Sequence, residues 1–266
     1  FLLVDTLGRG GMARVDLGED RVTGRSVVLK RLLPPALAIR MWRRRLRLEA
    51  KFLGRLQGTS VPRFVAAGKW GGQTCLVMEY VRGETLRSLL DLPDWRPAAG
   101  ALVRTAEALD AIHERGVVHL DVKAQNVLVE KDGSIRIVDL GIARPRVRRG
   151  PMPEDEERKV LGTIPHVSPE RFLRRDPGAD PREDVYALGG ILYRLLAGRS
   201  PFDGPAERYV ERMLHEDPPH PGVRTDAPEA LARIALCALA REPSKRFPSA
   251  RAFAEALAAT VAGAAA

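Results

Sequence analysis

Two acids and one amide are the residues whose types and spacing could do chemistry here. In the run His119-Leu120-Asp121-Val122-Lys123-Ala124-Gln125-Asn126, an acid precedes an amide by five positions. A second acid, Asp139, follows thirteen residues later in the turn Asp139-Leu140-Gly141, after the strand-like run Ile135 to Val138. Carboxylate and amide oxygens converging in one cleft suit Mg²⁺, which takes hard oxygen ligands and keeps substrate phosphates in its shell. Two further features fit a phosphate ligand. Gly8-Arg9-Gly10-Gly11 lies between two strand candidates, and glycine lets backbone N–H groups approach phosphate oxygens. Lys30 ends the run Val27-Val28-Leu29, where an ammonium could hold phosphates, and Glu49 sits on the following helix. Taken singly, each has an ordinary reading: a glycine hairpin, a solvated strand end, a helix-surface carboxylate. A dinucleotide loop is disfavoured because no helix follows the glycines.

The elements that must position these groups fall into two parts. Phe1 to Leu7, Val15 to Leu17, Ser26 to Leu29, Phe64 to Ala67 and Thr74 to Tyr80 read as strands, and Ile39 to Leu56 as a helix. Beyond Tyr80 the pattern turns helical. Pro97 to Arg115 has Pro at its start and Gly116 past its end. Val185 to Ala197, Ala206 to His215, Glu229 to Ala240 and Ala250 to Ala262 follow. The expected class is α+β: a small antiparallel sheet with one helix over residues 1–80, then a larger, mainly helical part over 81–266.

The chain's 266 residues can bury a sizeable core, and its hydrophobic share of 45% is that of a folded protein. The net charge of +9 is scattered, with no nucleic-acid motif, so no nucleic-acid partner is expected. No apolar run is long enough to span a membrane. Cys75 and Cys237 read as reduced core thiols of a cytoplasmic protein. The chain opens on Phe1 in an apolar run, which reads as a piece of a longer protein.

In the order and spacing of these motifs the chain resembles the eukaryotic-like, Hanks-type serine/threonine protein kinases. The Gly-Gly-Met stretch and the Arg-rich composition are similar to the bacterial branch. The resemblance implies a two-lobed fold, ATP and Mg²⁺ or Mn²⁺ as cofactors, and transfer of the γ-phosphoryl group to a Ser or Thr hydroxyl of a protein or peptide. It implies that Asp121 orients the attacking hydroxyl, that Lys123 neutralises the transferring group, and that Asn126 and Asp139 hold the metal. Gly8, Gly10, Gly11 and Val15 would cover the nucleotide, and Lys30, fixed by Glu49, would hold its phosphates. Met78 would guard the back of the adenine pocket, with Glu79 to Val81 bonding the base. Thr163, Glu170, Asp184 and Arg246 would support the catalytic loop and substrate-docking segment. Small-molecule phosphotransferases share the acid–amide spacing. The sequences Ser168-Pro169-Glu170 and Asp184-Val185-Tyr186-Ala187-Leu188-Gly189, with Arg246, resemble the protein kinases instead.

Two departures matter. Ala13 stands where the third glycine of the loop is usual. Leu120 stands where many members carry an Arg that grips a phosphate on the activation segment. The segment from Ile142 to Val167 has no Ser or Tyr, and Thr163 is its single Thr. The expectation is activity independent of phosphorylation there. The internal charges Arg144, Arg146, Arg148 and Arg149 against Glu154, Asp155, Glu156 and Glu157 could order the segment instead. A pseudokinase that only binds nucleotide, or serves as a scaffold, is the alternative.

Overall fold

A computed structural model of the chain describes residues 1–10, 13–70, 72–146, 164–173, 179–202, 204–222 and 226–264. It divides into two units: Phe1–Arg82 with Val138–Gly141, and Gly83–Ile137 with Ile142–Ala266.

The first unit is a five-stranded antiparallel sheet in the order β1-β2-β3-β5-β4. Its strands are β1 Leu2–Arg9, β2 Ala13–Glu19, β3 Ser26–Leu32, β4 Phe64–Trp70 and β5 Gln73–Glu79. Alternation does the sorting. Val27 and Leu29 on β3 point to one face and pack with Cys75 and Val77 of β5, partly covered by Leu3, Val65 and Ala66. Helix α2, Arg40–Arg55, buries Met41, Leu46, Phe52 and Leu53 on one stripe and packs on β4 and β5. A short helix α1, Pro34–Ala38, precedes it with Pro in its first turn and was not expected. The row Arg43 to Arg47 is not wholly a solvated face. Arg45 is buried beside Leu46, because its position falls on the inward stripe of α2.

Asp16 on β2 is fully buried, and sequence reasoning passed over it. Its carboxylate accepts bonds from Thr6 Oγ1 on β1, Arg14 on its own strand, and Arg31 Nε and Nη2 on β3 at 3.0 and 2.6 Å. Arg31 then lies over the Trp70 ring at 4.9 Å. Burial pushes Asp16 up, but these donors outweigh it and hold the carboxyl below its ordinary value.

The second unit is built on helices α3 Leu86–Leu90, α4 Arg96–Glu114, α5 Pro169–Leu173, α6 Pro181–Ala197, α7 Ala206–His215, α8 Glu229–Ala238 and α9 Ala250–Gly263. Trp95, Tyr186, Tyr193 and Phe253 are its largest fully buried side chains. Two small sheets complete it. Strand β6, Gly83–Thr85, pairs with β8, Val127–Glu130, which pairs with β9, Ile135–Ile137. Strand β7, Val117–Val118, pairs with β10, Arg144–Pro145. Helix α6 starts four residues earlier than the apolar pattern suggested. Asp180 caps it, accepting from Arg182 N at 2.9 Å, while Glu183 reaches back to Asp180 N at 3.1 Å. That capping box and Pro181 were legible signals. Cys75 is buried but Cys237 is only half-buried, because it sits at the end of α8 beside the Lys245 carbonyl. No described helix is long and apolar enough to cross a membrane.

Helices α6 and α8 approach closely at Gly189. A Cβ there would lie 2.7 Å from the Ala238 Cβ and 3.2 Å from the Ala235 carbonyl oxygen. Gly189→Ala therefore wedges two buried helices apart and should cost about 1–3 kcal/mol. Adding Ala238→Gly should recover part of that loss in urea unfolding, and additive losses in the double variant would contradict this packing account.

Candidate functional site

In the first unit, three charged groups meet. Lys30, on the central strand β3, directs its ammonium at Glu49 of α2, with Nζ 2.8 and 2.9 Å from the two carboxylate oxygens. The same Nζ lies 2.7 Å from Asp139 Oδ1. Lys30 pairs in register with Val15 on β2 and Leu76 on β5, so two flanking strands fix its backbone. Glu49 is 2% exposed, whereas the Asp139 carboxylate is 45% exposed. The pair is therefore solvent-shielded at one end and open at the other. Burial would push the Lys30 ammonium down, but the two carboxylates outweigh it and hold it above its ordinary value. Burial pushes Glu49 up, Lys30 opposes this, and Asp139 adds to the rise; the net shift is upward.

Gly141 makes room for this group. A Cβ there would stand 3.0 Å from Asp139 Oδ1, 3.4 Å from Lys30 Nζ and 3.6 Å from a Glu49 oxygen. Asp139 adopts φ of 66°, in the left-handed region that Asp tolerates better than most residues. Its Oδ1 also accepts from Gly141 N at 3.3 Å.

The glycine segment forms the β1–β2 hairpin, with Gly8 opposite Val15 and Gly10 N donating to Ala13 O at 2.9 Å. Gly11 lies outside the described residues. Ala13 supplies the carbonyl that closes this turn, so the missing third glycine leaves the hairpin intact. Met78 is buried on β5, and Val81 is half-buried just beyond that strand. Glu79 donates its N–H to Arg63 O at 2.9 Å and accepts Arg63 N on its side chain at 3.0 Å.

In the second unit, Asp121 is the centre of a polar cluster. Lys123 Nζ lies 2.9 Å from its Oδ2. Asn126 Nδ2 donates to the Asp121 carbonyl at 2.9 Å and to Oδ2 at 3.2 Å. The backbone makes this compact: residues Ala124–Asn126 form a single 3₁₀ turn, closed by Asn126 N donating to Lys123 O. Both Asn126 bonds use its nitrogen, which leaves the amide oxygen as a hard donor for a metal. In the first unit the Asp139 carboxylate offers the same kind of hard oxygen, which suits Mg²⁺ better than a thiolate-seeking ion does. Among the described residues no group of three His, Cys, Asp or Glu side chains could hold a metal by itself.

Asp184, in the first turns of α6, anchors the loop from below. It is fully buried. It accepts His119 N at 2.8 Å and Leu120 N at 2.7 Å, and lies 2.7 Å from His113 Nε2. His113 lies on the buried side of α4, and its partner Asp184 is distant in sequence and gave no local signal. His119 is also fully buried, and its Nδ1 accepts Asp121 N at 3.2 Å. Leu120 has φ of 69°, which costs a leucine about 1–3 kcal/mol. The bond to Asp184 and packing of its side chain against Val118, Ala179 and Ile142 offset that strain.

Arg246, with its side chain fully shielded, forms a two-pronged bond to Glu170 at 2.8 and 2.7 Å. It also donates to the carbonyls of Arg182, Ala240 and Arg241 and lies over the Tyr186 ring at 4.9 Å. Thr163 lies outside the described residues, as do Arg148, Arg149 and the acidic run 154–157.

Two outcomes follow from these contacts. Glu170→Ala leaves a buried guanidinium without its carboxylate, and should lower unfolding free energy by about 3–5 kcal/mol in a denaturant titration. Asp184 behaves differently with pH. Burial pushes its carboxyl up, but His113 and the loop N–H groups outweigh this and hold it below its ordinary value. Its contribution is then complete above about pH 4 and fades as pH falls through the lowered value. The stability gap between the wild type and Asp184→Asn should narrow below about pH 4, and a gap that widened on acidification would contradict the assignment.

Comparison with known proteins gives the family. The protein kinase domain family model matches residues 1–257. The chain is 36% identical over 270 residues to serine/threonine-protein kinase pkn2 of Myxococcus xanthus, covering 97% of this chain and 32% of that protein. It is 36% identical to serine/threonine-protein kinase PksC of Streptomyces coelicolor over 266 residues, 95% of this chain and 47% of the relative. PknL of Mycobacterium tuberculosis, also named a serine/threonine-protein kinase, is 33% identical over 255 residues, covering 94% and 63% respectively. The chain thus spans about a third of the Myxococcus kinase and under two thirds of the others. With a family match over nearly its whole length and these three relatives named as bacterial serine/threonine kinases, this chain belongs to the protein kinase domain family.

Proposed function

We propose that this chain transfers the γ-phosphoryl group of ATP to a Ser or Thr hydroxyl of a protein or peptide. The observation that carries the reading is the polar set itself. Lys30, Glu49 and Asp139 are joined in one unit, and Asp121, Lys123 and Asn126 in the other, all in bonding geometry. Lys30, locked between two carboxylates, is positioned to hold phosphate oxygens. Mg²⁺, when bound, supplies charge neutralisation on those oxygens. Asn126 and Asp139 would hold it. Asp121 accepts or orients the proton of the acceptor hydroxyl, and Lys123 places a positive charge beside it. Val15, Met78 and the backbone of Glu79 to Val81 would hold the adenine, with Gly8 and Gly10 covering the phosphates.

Independence from activation-segment phosphorylation belongs to the same reading. Leu120 cannot grip a phosphate. It is buried instead against Ile142, the first residue of that segment, and Ala179. These apolar contacts need no charge.

The test is direct. Incubation with labelled ATP, Mg²⁺ and a Ser/Thr peptide library should label peptides. Asp121→Asn should lower the rate by roughly 10²–10⁴-fold while ATP binding persists. A wild-type chain that binds ATP but labels no peptide would leave a scaffold role in its place. Phosphatase treatment should leave the rate unchanged, and a large loss restored by rephosphorylation within 142–167 would remove the claim of independence.

A further inference from the structure

The second unit has a cavity of about 180 Å³ whose lining includes Arg87 of α3, Gln125, His166, Gly190 and Arg194 of α6, and Ser200. It is too small for a drug-sized ligand, which needs roughly 300–1,000 Å³, but it is large enough for one side chain. Among the described residues no acidic side chain lines it. Arg194 is half-buried there and has no carboxylate partner among the described residues. Arg87 is bonded to Asp91 at 2.8 Å, an exposed pair four residues apart. Such pairs are worth roughly 0–1 kcal/mol, so Arg87 can exchange Asp91 for another carboxylate at little cost.

His166 adds a second signal. Its Nδ1 is buried without a hydrogen-bond partner. Burial pushes the imidazole down to about 4, so it is neutral at physiological pH. The positive charge of the pocket therefore rests on the two arginines, and the imidazole offers a neutral hydrogen-bonding wall. Gly190 keeps that wall open, since a Cβ there would stand 3.7 Å from His166 Nδ1. The pocket thus holds unmatched positive charge, an unsatisfied polar atom and room for a side chain.

The pocket is close to Asp121. Gln125 lies four positions after Asp121, so their Cα atoms are at most about 14 Å apart, which an extended peptide covers in four residues. We propose that this pocket reads an acidic residue, Asp or Glu, within about four positions of the phosphorylated hydroxyl in the acceptor peptide. This rests on the phosphotransfer reading above and adds to it a substrate class: acidic peptide segments, recognised by carboxylate–guanidinium bonds.

A positional peptide array tests it. Each peptide carries one Ser or Thr, with Asp, Ala or Lys at each of the flanking positions. At one position Asp should raise kcat/KM about tenfold over Ala, and Lys should lower it. In the Arg87→Glu/Arg194→Glu variant the preference should reverse toward Lys, with the all-neutral peptide still phosphorylated. If that variant does not fold, Arg194→Gln should abolish the Asp preference alone. Equal rates for Asp, Ala and Lys at every position in the wild type would overturn the proposal, although phosphotransfer would stand. An Asp preference unmoved by the arginine variants would overturn the placement of the reader. Labelling of no peptide at all would overturn both.

Discussion

A single buried carboxylate holds the catalytic segment in shape. Asp184 gathers the N–H groups of two consecutive loop residues and the imidazole of His113. A loop carrying reactive groups has many polar backbone atoms, and burying them unpaired is costly. Asp184 supplies acceptors where the loop would otherwise have none. It does so from α6, a helix buried along most of its length, so the anchor itself cannot drift. The strained φ of Leu120 persists because the anchor fixes the residue on one side and apolar packing fixes it on the other. Asp121, Lys123 and Asn126 inherit their positions from this arrangement.

The first unit solves a related problem with opposite charges. Lys30 alone would lose its proton on burial, because the low-dielectric interior disfavours the cation. Two carboxylates reverse that balance. One is shielded on α2 and the other is open to solvent on the turn after β9, so the ammonium is fixed yet reachable. Asp16 acts as a rigid tie among β1, β2 and β3, below the glycine hairpin. A sheet tied in this way can present a glycine-rich hairpin without losing register.

How much of this was legible depends on the range of the interaction. The five strands and α2 of the first unit, and five of the later helices, follow from patterns of two and of 3.6 residues, which are local. Misreadings cluster where local pattern competes with packing. Arg45 looks like its arginine neighbours but falls on the inward stripe of α2. Helix α6 begins at its capping box and not at its first apolar residue. Strands β6 and β7 are too short to carry a periodic signal and exist because their partners do. His113 illustrates the limit for polar groups. Its spacing is that of a core position, and only a partner 71 positions away gives it a polar role.

The identities and spacing of Lys30, Glu49, Asp121, Lys123, Asn126 and Asp139, and hence the kind of chemistry on offer, were determined by the sequence alone. Charge type and oxygen donors are properties of residues, and motif spacing is a property of the chain. Tertiary structure decided which of those groups bond to one another, how far each is shielded, and where charge is left unmatched, as at Arg194. Those quantities depend on elements brought together from distant parts of the chain, and burial sets their energies only once that packing exists.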